Sequence, residues 1–193
     1  MIKYSLLIPY IPERTKYLYS FIDSMKKQYP DREDYELCIS LSEYTSPAVA
    51  FNAAARMANG DRFILTSPEC IHLNDVLGGL DKTDSNEYIV CACKTTHEVK
   101  WYQHSKYNNR MLHFCSCISR KNWMKLNGFC EWYKNGVSYE DDDWLARVKK
   151  AGIKIVCNDE LIVEHLEHGR AYNTPELNEK NRKLYNYIWD AKR

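Results

Sequence analysis

Short apolar runs alternate with longer stretches of helical periodicity along the first third of the chain. Lys3 to Ile8 reads as a buried strand, Pro9-Tyr10-Ile11-Pro12 forces an extended loop, and Tyr17, Leu18, Phe21, Ile22 and Met25 line one face of a helix. A second unit repeats the order: Tyr35 to Leu41 as strand, Ser46 as N-cap with Pro47 as first helical residue, an alanine-rich helix through Met57, and Gly60 as its stop. A third strand, Arg62 to Thr66, follows directly. Alternating units of this kind predict an α/β fold with a mostly parallel central sheet and helices on both faces. Ligands of such sheets bind at the carboxyl ends of the strands. Here those ends carry three loops, Pro9 to Arg14, Ser42-Glu43-Tyr44 and Thr66-Ser67-Pro68-Glu69-Cys70.

The second half is less regular. Strands are predicted over Tyr88 to Cys93 and Leu112 to Ser119, a short helix over Arg120 to Leu126, and a turn at Asn127-Gly128. A helix with Trp144, Leu145, Val148 and Ala151 begins at Glu140, short strands follow at Ile153 to Cys157 and Leu161 to Val163, and Thr174-Pro175 caps a final helix with Leu177, Leu184, Tyr185, Ile188 and Trp189. No repeat, low-complexity tract or linker interrupts the sequence. One domain over residues 1–193 is expected, divided into a nucleotide-binding half (1–80), an acceptor and catalytic half (81–173) and a C-terminal helix (174–193).

Composition narrows the classes. With 193 residues, 45% hydrophobic and 13% aromatic, the chain can bury one core. Its 27 Lys and Arg balance 26 Asp and Glu, and no long basic tract appears, so nucleic acid is not an expected partner. No window is long and apolar enough for a membrane span, and Met1 to Pro9 lacks a basic leader, so a cytoplasmic location is expected. Among the eight cysteines, Cys91/Cys93 and Cys115/Cys117 lie two apart in apolar runs, which places each pair on one face of a strand. Zinc sites usually need two or more intervening residues at a turn, so reduced core thiols are predicted.

The chemistry concentrates in Ser138-Tyr139-Glu140-Asp141-Asp142-Asp143-Trp144 and in Ile162-Val163-Glu164-His165-Leu166-Glu167-His168. Four consecutive acids repel one another, which points to something cationic or proton-bearing held there. Acids in a first helical turn also favour the positive end of the helix dipole, which alone would explain them as a cap. Trp101 to Arg110, with Trp132-Tyr133, is polar and aromatic, a composition suited to stacking on sugar rings or to a plain surface cover.

The order of four stretches resembles the nucleotide-sugar glycosyltransferases of the GT-A fold, family 2 and its galactosyltransferase-like relatives. These stretches are Ser5-Leu6-Leu7-Ile8-Pro9 with Arg14; Phe51-Asn52-Ala53-Ala54-Ala55 through Ala58-Asn59-Gly60 to Phe63-Ile64-Leu65; Asn127-Gly128-Phe129; and Tyr139 to Trp144. The resemblance implies a Rossmann-like three-layer sandwich and an inverting, metal-dependent transfer of a hexose from a UDP-sugar donor to a carbohydrate acceptor. It implies Asp141 as base, with Glu140 and Asp142 orienting the acceptor and the role of Asp143 open. A divalent cation, Mn²⁺ or Mg²⁺, is implied at Glu69 with His165 or His168. Donor contacts are implied for Pro9, Tyr10, Arg14, Glu43, Asn52 and Ser67, and Arg170 is placed to pair with diphosphate oxygens or with Glu164 or Glu167. The chain departs from the family where Ser67-Pro68-Glu69 replaces Asp-x-Asp and Ser42-Glu43-Tyr44-Thr45 replaces Asp-Asp-Gly-Ser. Two other classes stay open: a catalytically silent sugar- or nucleotide-binding module, and a nucleotidyl or phosphoryl transferase, for which the seven glycines form no phosphate-cradling motif.

Overall fold

The computed structural model describes residues 1–95, 104–105, 108–109, 114–169 and 174–190. In chain order the elements are β1 (Tyr4–Tyr10), α1 (Thr15–Gln28), β2 (Tyr35–Leu41), α2 (Ala48–Met57), β3 (Arg62–Leu65), β4 (Cys70–His72) and α3 (Val76–Leu80). They continue with β5 (Tyr88–Thr95), β6 (His104–Ser105), β7 (Asn108–Asn109), β8 (Ser116–Ser119), α4 (Arg120–Leu126), α5 (Glu140–Lys150), β9 (Ile155–His165) and α6 (Pro175–Asp190). Tight 3-10 turns at Pro12–Arg14 and Glu131–Asn135 lead into α1 and toward α5.

Seven strands form one mixed sheet in the order β2-β1-β3-β8-β5-β9-β4, and β6 with β7 forms a separate hairpin. Strands β2, β1, β3, β5 and β9 run one way while β8 and β4 run the other. The parallel expectation thus holds for the dominant direction; reversed β8 separates β3 from β5, and reversed β4 forms one edge. Period-two alternation sends Leu7, Phe63, Leu65, Val90 and Ile118 to one face, against α2, α4 and α5. Leu6, Ile8, Ile64, Ile89 and Val163 go to the other, against α1 and α3.

Phe129 stacks on Trp144 with centroids 4.7 Å apart, and Trp123 lies 5.1 Å from the same indole. Such pairs add roughly 0.5–1.5 kcal/mol each beyond burial, so the Gly-Phe turn and the acidic helix are welded to one core. Gly60 closes the α2–β3 connection because an added Cβ would stand 2.8 Å from the Ser5 backbone nitrogen. The eight cysteines are free, and Cys38, Cys70, Cys91, Cys93, Cys115 and Cys117 are buried, as core thiols require. Burial raises the Cys117 thiol to about 12 and the Cys38 thiol to about 11, leaving both protonated.

Several elements differ from the sequence expectation. The two short strands after α5 are one strand, β9, whose pairing with β5 jumps from Cys91↔Asn158 to Ala92↔Ile162. The polar Asn158-Asp159-Glu160 segment interrupts the apolar pattern by turning out of the ladder, with Asn158 Oδ1 accepting from the Glu160 N–H at 3.0 Å. Strand β4 and helix α3 were hidden because three and five residues carry too little periodicity to register. Helix α2 begins one residue later than expected, at Ala48, whose N–H donates to Ser46 Oγ at 3.3 Å. Strand β8 is confined to Ser116–Ser119, and residues 112–113 lie outside the described residues.

Candidate active site

The carboxyl ends of β1, β2 and β3 meet at one sheet edge. There the Ser42 N–H donates to the Tyr10 carbonyl at 2.7 Å and the Thr66 N–H to the Leu7 carbonyl at 3.2 Å, so the three loops share one framework. Arg14, just before α1, sets Nη1 2.9 Å from Glu69 Oε1. That contact is an ion pair without hydrogen-bond direction: Glu69 is fully buried and both its oxygens lack a hydrogen bond. A buried carboxylate needs a cation, and Arg14 supplies one. Pro9 and Tyr10 are half-buried at the same edge, and Glu43 is exposed on the second loop. The Ser67 hydroxyl turns back to Cys70 Sγ at 3.4 Å.

Strand β9 ends at this edge. His165 is buried, pairs across the ladder with Cys70, and stands edge-on to Phe114 at 5.1 Å. The antiparallel pairing with β4 continues one rung past it, the Leu166 N–H donating to the Glu69 carbonyl at 2.9 Å, and the His165 and His168 rings come within 5.1 Å. Strict alternation would have sent the imidazoles to opposite faces; here the two rings meet. Arg170 lies outside the described residues, as do Trp101 to Gln103, 106–107 and Arg110.

Helix α5 precedes β9 and runs back across the sheet, so its N-terminus faces the carboxyl edge. No side chain caps it; Tyr139 at the cap and Ser138 before it both hold left-handed backbone, φ 68° and 64°. Asp141 Oδ1 accepts from the Asp142 N–H at 2.9 Å. Burial first, then the charge of Asp141, lifts the Glu140 carboxyl from its ordinary 4.5 to about 8, with Asp142 adding to the rise. Glu140 Oε2 is buried without a partner. The run therefore holds a neutral acid next to carboxylates, the arrangement by which adjacent acids divide their roles.

Asn52, an expected donor contact, and Asp143, whose role was open, both bond to neighbouring segments. Asn52 clamps the Gly-Phe turn: its Oδ1 accepts from the Phe129 N–H at 2.8 Å, and its Nδ2 donates to the Phe129 carbonyl and Glu131 Oε1, each at 2.9 Å. Gly128, at φ 63°, is required there because a Cβ would meet Asn52 Oδ1 at 2.4 Å. Asp143, the open case, is buried and points away from the edge; Oδ2 accepts from Arg147 Nε at 2.8 Å and Oδ1 from Trp189 Nε1 at 3.0 Å. Of Trp132 and Tyr133, only Trp132 is a surface platform, at 71% exposure; Tyr133 is fully buried.

Sequence reasoning missed Asn181. It is the single buried residue of α6, and its Nδ2 donates to the Ser138 carbonyl at 2.8 Å and the Tyr133 carbonyl at 3.1 Å. The signal was an asparagine inside the apolar stripe of Leu177, Leu184, Tyr185 and Ile188.

A cation fits Glu69 on the chemistry of the donor: a buried carboxylate whose Oε1 faces Arg14 and whose Oε2 makes no hydrogen bond among the described residues, and an imidazole pair at the same edge. Among the described residues no group of three or more His, Cys, Asp or Glu is gathered to hold a metal. No helix among them is long and apolar enough to cross a membrane.

No protein-family model matches the sequence, and no curated protein matches it. Solved structures do match in fold. The catalytic domain of Drosophila beta1,4-galactosyltransferase 7, in complex with xylobiose, superposes at a TM-score of 0.71 with 18% identity, covering 94% of this chain and 80% of that one. TarS from S. aureus, in complex with UDP-GlcNAc, gives 0.73 at 14% identity, covering 96% of this chain and 66% of that one. The mannosyltransferase PcManGT from Pyrobaculum calidifontis, with GDP-Man and Mn²⁺, gives 0.63 at 13% identity, covering 88% and 58%. These neighbours are GT-A glycosyltransferases, and this chain has their α/β fold with its mixed seven-stranded sheet.

Proposed function

We propose that the chain is an inverting, metal-dependent glycosyltransferase of the family 2 kind, with a galactosyltransferase-like acidic run, that moves a hexose from a UDP-sugar to an acceptor hydroxyl on a glycan. The observation that carries this reading is the first turn of α5, where Asp141 stands beside a buried Glu140 raised to about 8 at the edge that also receives Arg14, Glu69 and His165. The fold neighbours support the donor class, since TarS is solved with UDP-GlcNAc, and a beta1,4-galactosyltransferase 7 mutant with manganese, UDP-Gal and xylobiose.

In the proposed reaction the acceptor oxygen attacks the anomeric carbon from the face opposite the nucleotide. Asp141 takes the hydroxyl proton as the new carbon–oxygen bond forms, and the bond to the diphosphate breaks with inversion. Protonated Glu140 donates a hydrogen bond to the acceptor, and Asp142 accepts from a second hydroxyl. The exposed Trp132 offers an aromatic face to the acceptor ring. Pro9, Tyr10, Arg14, Glu43 and Ser67 line the nucleotide side, and Arg14, always charged, faces the phosphates. Glu69, with His165 or His168, would hold a Mn²⁺ or Mg²⁺ ion. A divalent cation there would screen the negative charge of the departing diphosphate.

Calorimetric titration with UDP, with and without Mn²⁺, tests the donor site without knowledge of sugar or acceptor. Mn²⁺-dependent UDP binding that is lost in His165→Ala supports the reading. No binding of UDP or any other nucleoside diphosphate would favour a silent sugar-binding module, the alternative suggested by Ser67 in place of an aspartate.

A further inference from the structure

Helix α6 is amphipathic in sequence, yet the residue it buries is polar. Asn181 is 1% exposed, while Leu177, Leu184, Tyr185, Ile188 and Trp189 are only half-buried. A helix held mainly by hydrophobic burial would place its deepest contact on leucine or isoleucine. This one spends that position on two hydrogen bonds to main-chain carbonyls, those of Tyr133 and Ser138.

The second of those carbonyls belongs to a turn in left-handed backbone. Ser138 and Tyr139 are consecutive non-glycine residues in the left-handed region, a conformation costing about 1–3 kcal/mol per residue that persists only where the surroundings impose it. Helix α6 supplies the surroundings at several points. The Val137 N–H donates to the Leu177 carbonyl at 3.1 Å, Tyr139 packs against Tyr185 at 5.6 Å, and Trp189 Nε1 holds Asp143. Gly136 completes the fit, since an added Cβ would stand 2.1 Å from Asn181 Oδ1. The contacts flank Glu140, Asp141 and Asp142 on both sides.

We propose that α6 is a splint for the active-site turn, with Asn181 as a positioning residue that holds Ser138-Tyr139 in left-handed backbone and thereby aims Asp141. The inference rests on the transferase reading of Asp141. Asn181 acts through the turn: its removal leaves intact the donor loops on β1 and β3, to which it makes no bond among the described residues, while the first turn of α5 loses its orientation.

The test uses suppression of strain. Asn181→Ala should lower kcat at least tenfold with the donor KM within twofold, and should speed amide hydrogen exchange over residues 136–142. Ser138→Gly in the same chain should restore kcat and exchange protection most of the way, because glycine adopts a φ near 64° without strain. A helix that only adds general stability predicts no such rescue, so unrescued loss overturns the proposal, as does Asn181→Ala with unchanged kcat and exchange. Should Asn181→Ala fail to fold, Trp189→Phe, which removes the bond to Asp143 while keeping an aromatic ring, is expected to lower kcat in the same sense, and an unchanged kcat there overturns it. If the wild-type chain binds no nucleoside diphosphate, the exchange measurement still decides whether Asn181 holds the turn, and the failure then belongs to the transferase reading.

Discussion

The donor edge and the first turn of α5 place charged groups by opposite means. At the donor edge, parallel strands deliver loops to one side of the sheet as a matter of topology, and a single ion pair, Arg14 to Glu69 at 2.9 Å, joins two of them. At α5, the sheet brings the helix only to the right neighbourhood. The exact turn is imposed by side chains from 40 or more residues away, with Asn181 on Ser138 and Trp189 on Asp143. A loop at a strand end tolerates substitution in its neighbours, whereas a turn in left-handed backbone depends on each of its props. The same helix shows the division within four consecutive acids: Glu140 is buried and neutral, Asp141 and Asp142 remain partly exposed, and Asp143 is taken into the structure.

The sharpest break of this comparison removes chemistry from one region and leaves the other alone. Asp141→Asn should lower the transfer rate by roughly 10²–10⁴-fold while UDP affinity by calorimetry stays unchanged. Near-wild-type turnover would exclude Asp141 as base. The converse substitution, Glu69→Ala, should weaken Mn²⁺-dependent UDP binding by roughly tenfold or more with folding retained; equal affinity in Mn²⁺ and in chelator for both proteins would remove Glu69 from the donor site.

Smaller effects sharpen the structural side. Asn52→Ala takes two partners from the Gly-Phe turn and should lower unfolding free energy by about 1–3 kcal/mol in denaturant titration, with UDP affinity intact. A selective loss of UDP affinity would return Asn52 to the nucleotide site. The least effect concerns pH. Glu140 binds its proton more tightly folded, at about 8, than unfolded, near 4.5, so its stabilising contribution is full below 4.5 and is lost as pH rises toward 8. Urea midpoints measured between pH 5 and 8 should therefore fall with pH more steeply in the wild type than in Glu140→Gln, and parallel slopes would refute the buried neutral acid.

The longer strands and helices and the acidic run were legible because each rests on local regularity. Period-two and helical patterns name β1, α1, β2, α2 and β3 from their own residues, and four adjacent acids before Trp144 mark a helix N-terminus whatever surrounds it. The convergence of the first three loops also follows from sequence, since strand, helix and strand in alternation have few ways to pack. What tertiary structure decided is which of the eligible side chains face the edge. Asn52 and Asp143 carry functional groups suited to a site, and it is the fold that engages Asn52 with the Gly-Phe turn and Asp143 with Arg147 and Trp189. His165 is fixed beside Glu69 by the pairing of β9 with β4, strands nearly a hundred positions apart, and its ring meets that of His168 against strict alternation. Spacing along a chain fixes the face on which a side chain emerges; its partners are fixed by distant segments, through packing and hydrogen bonds that local periodicity does not encode.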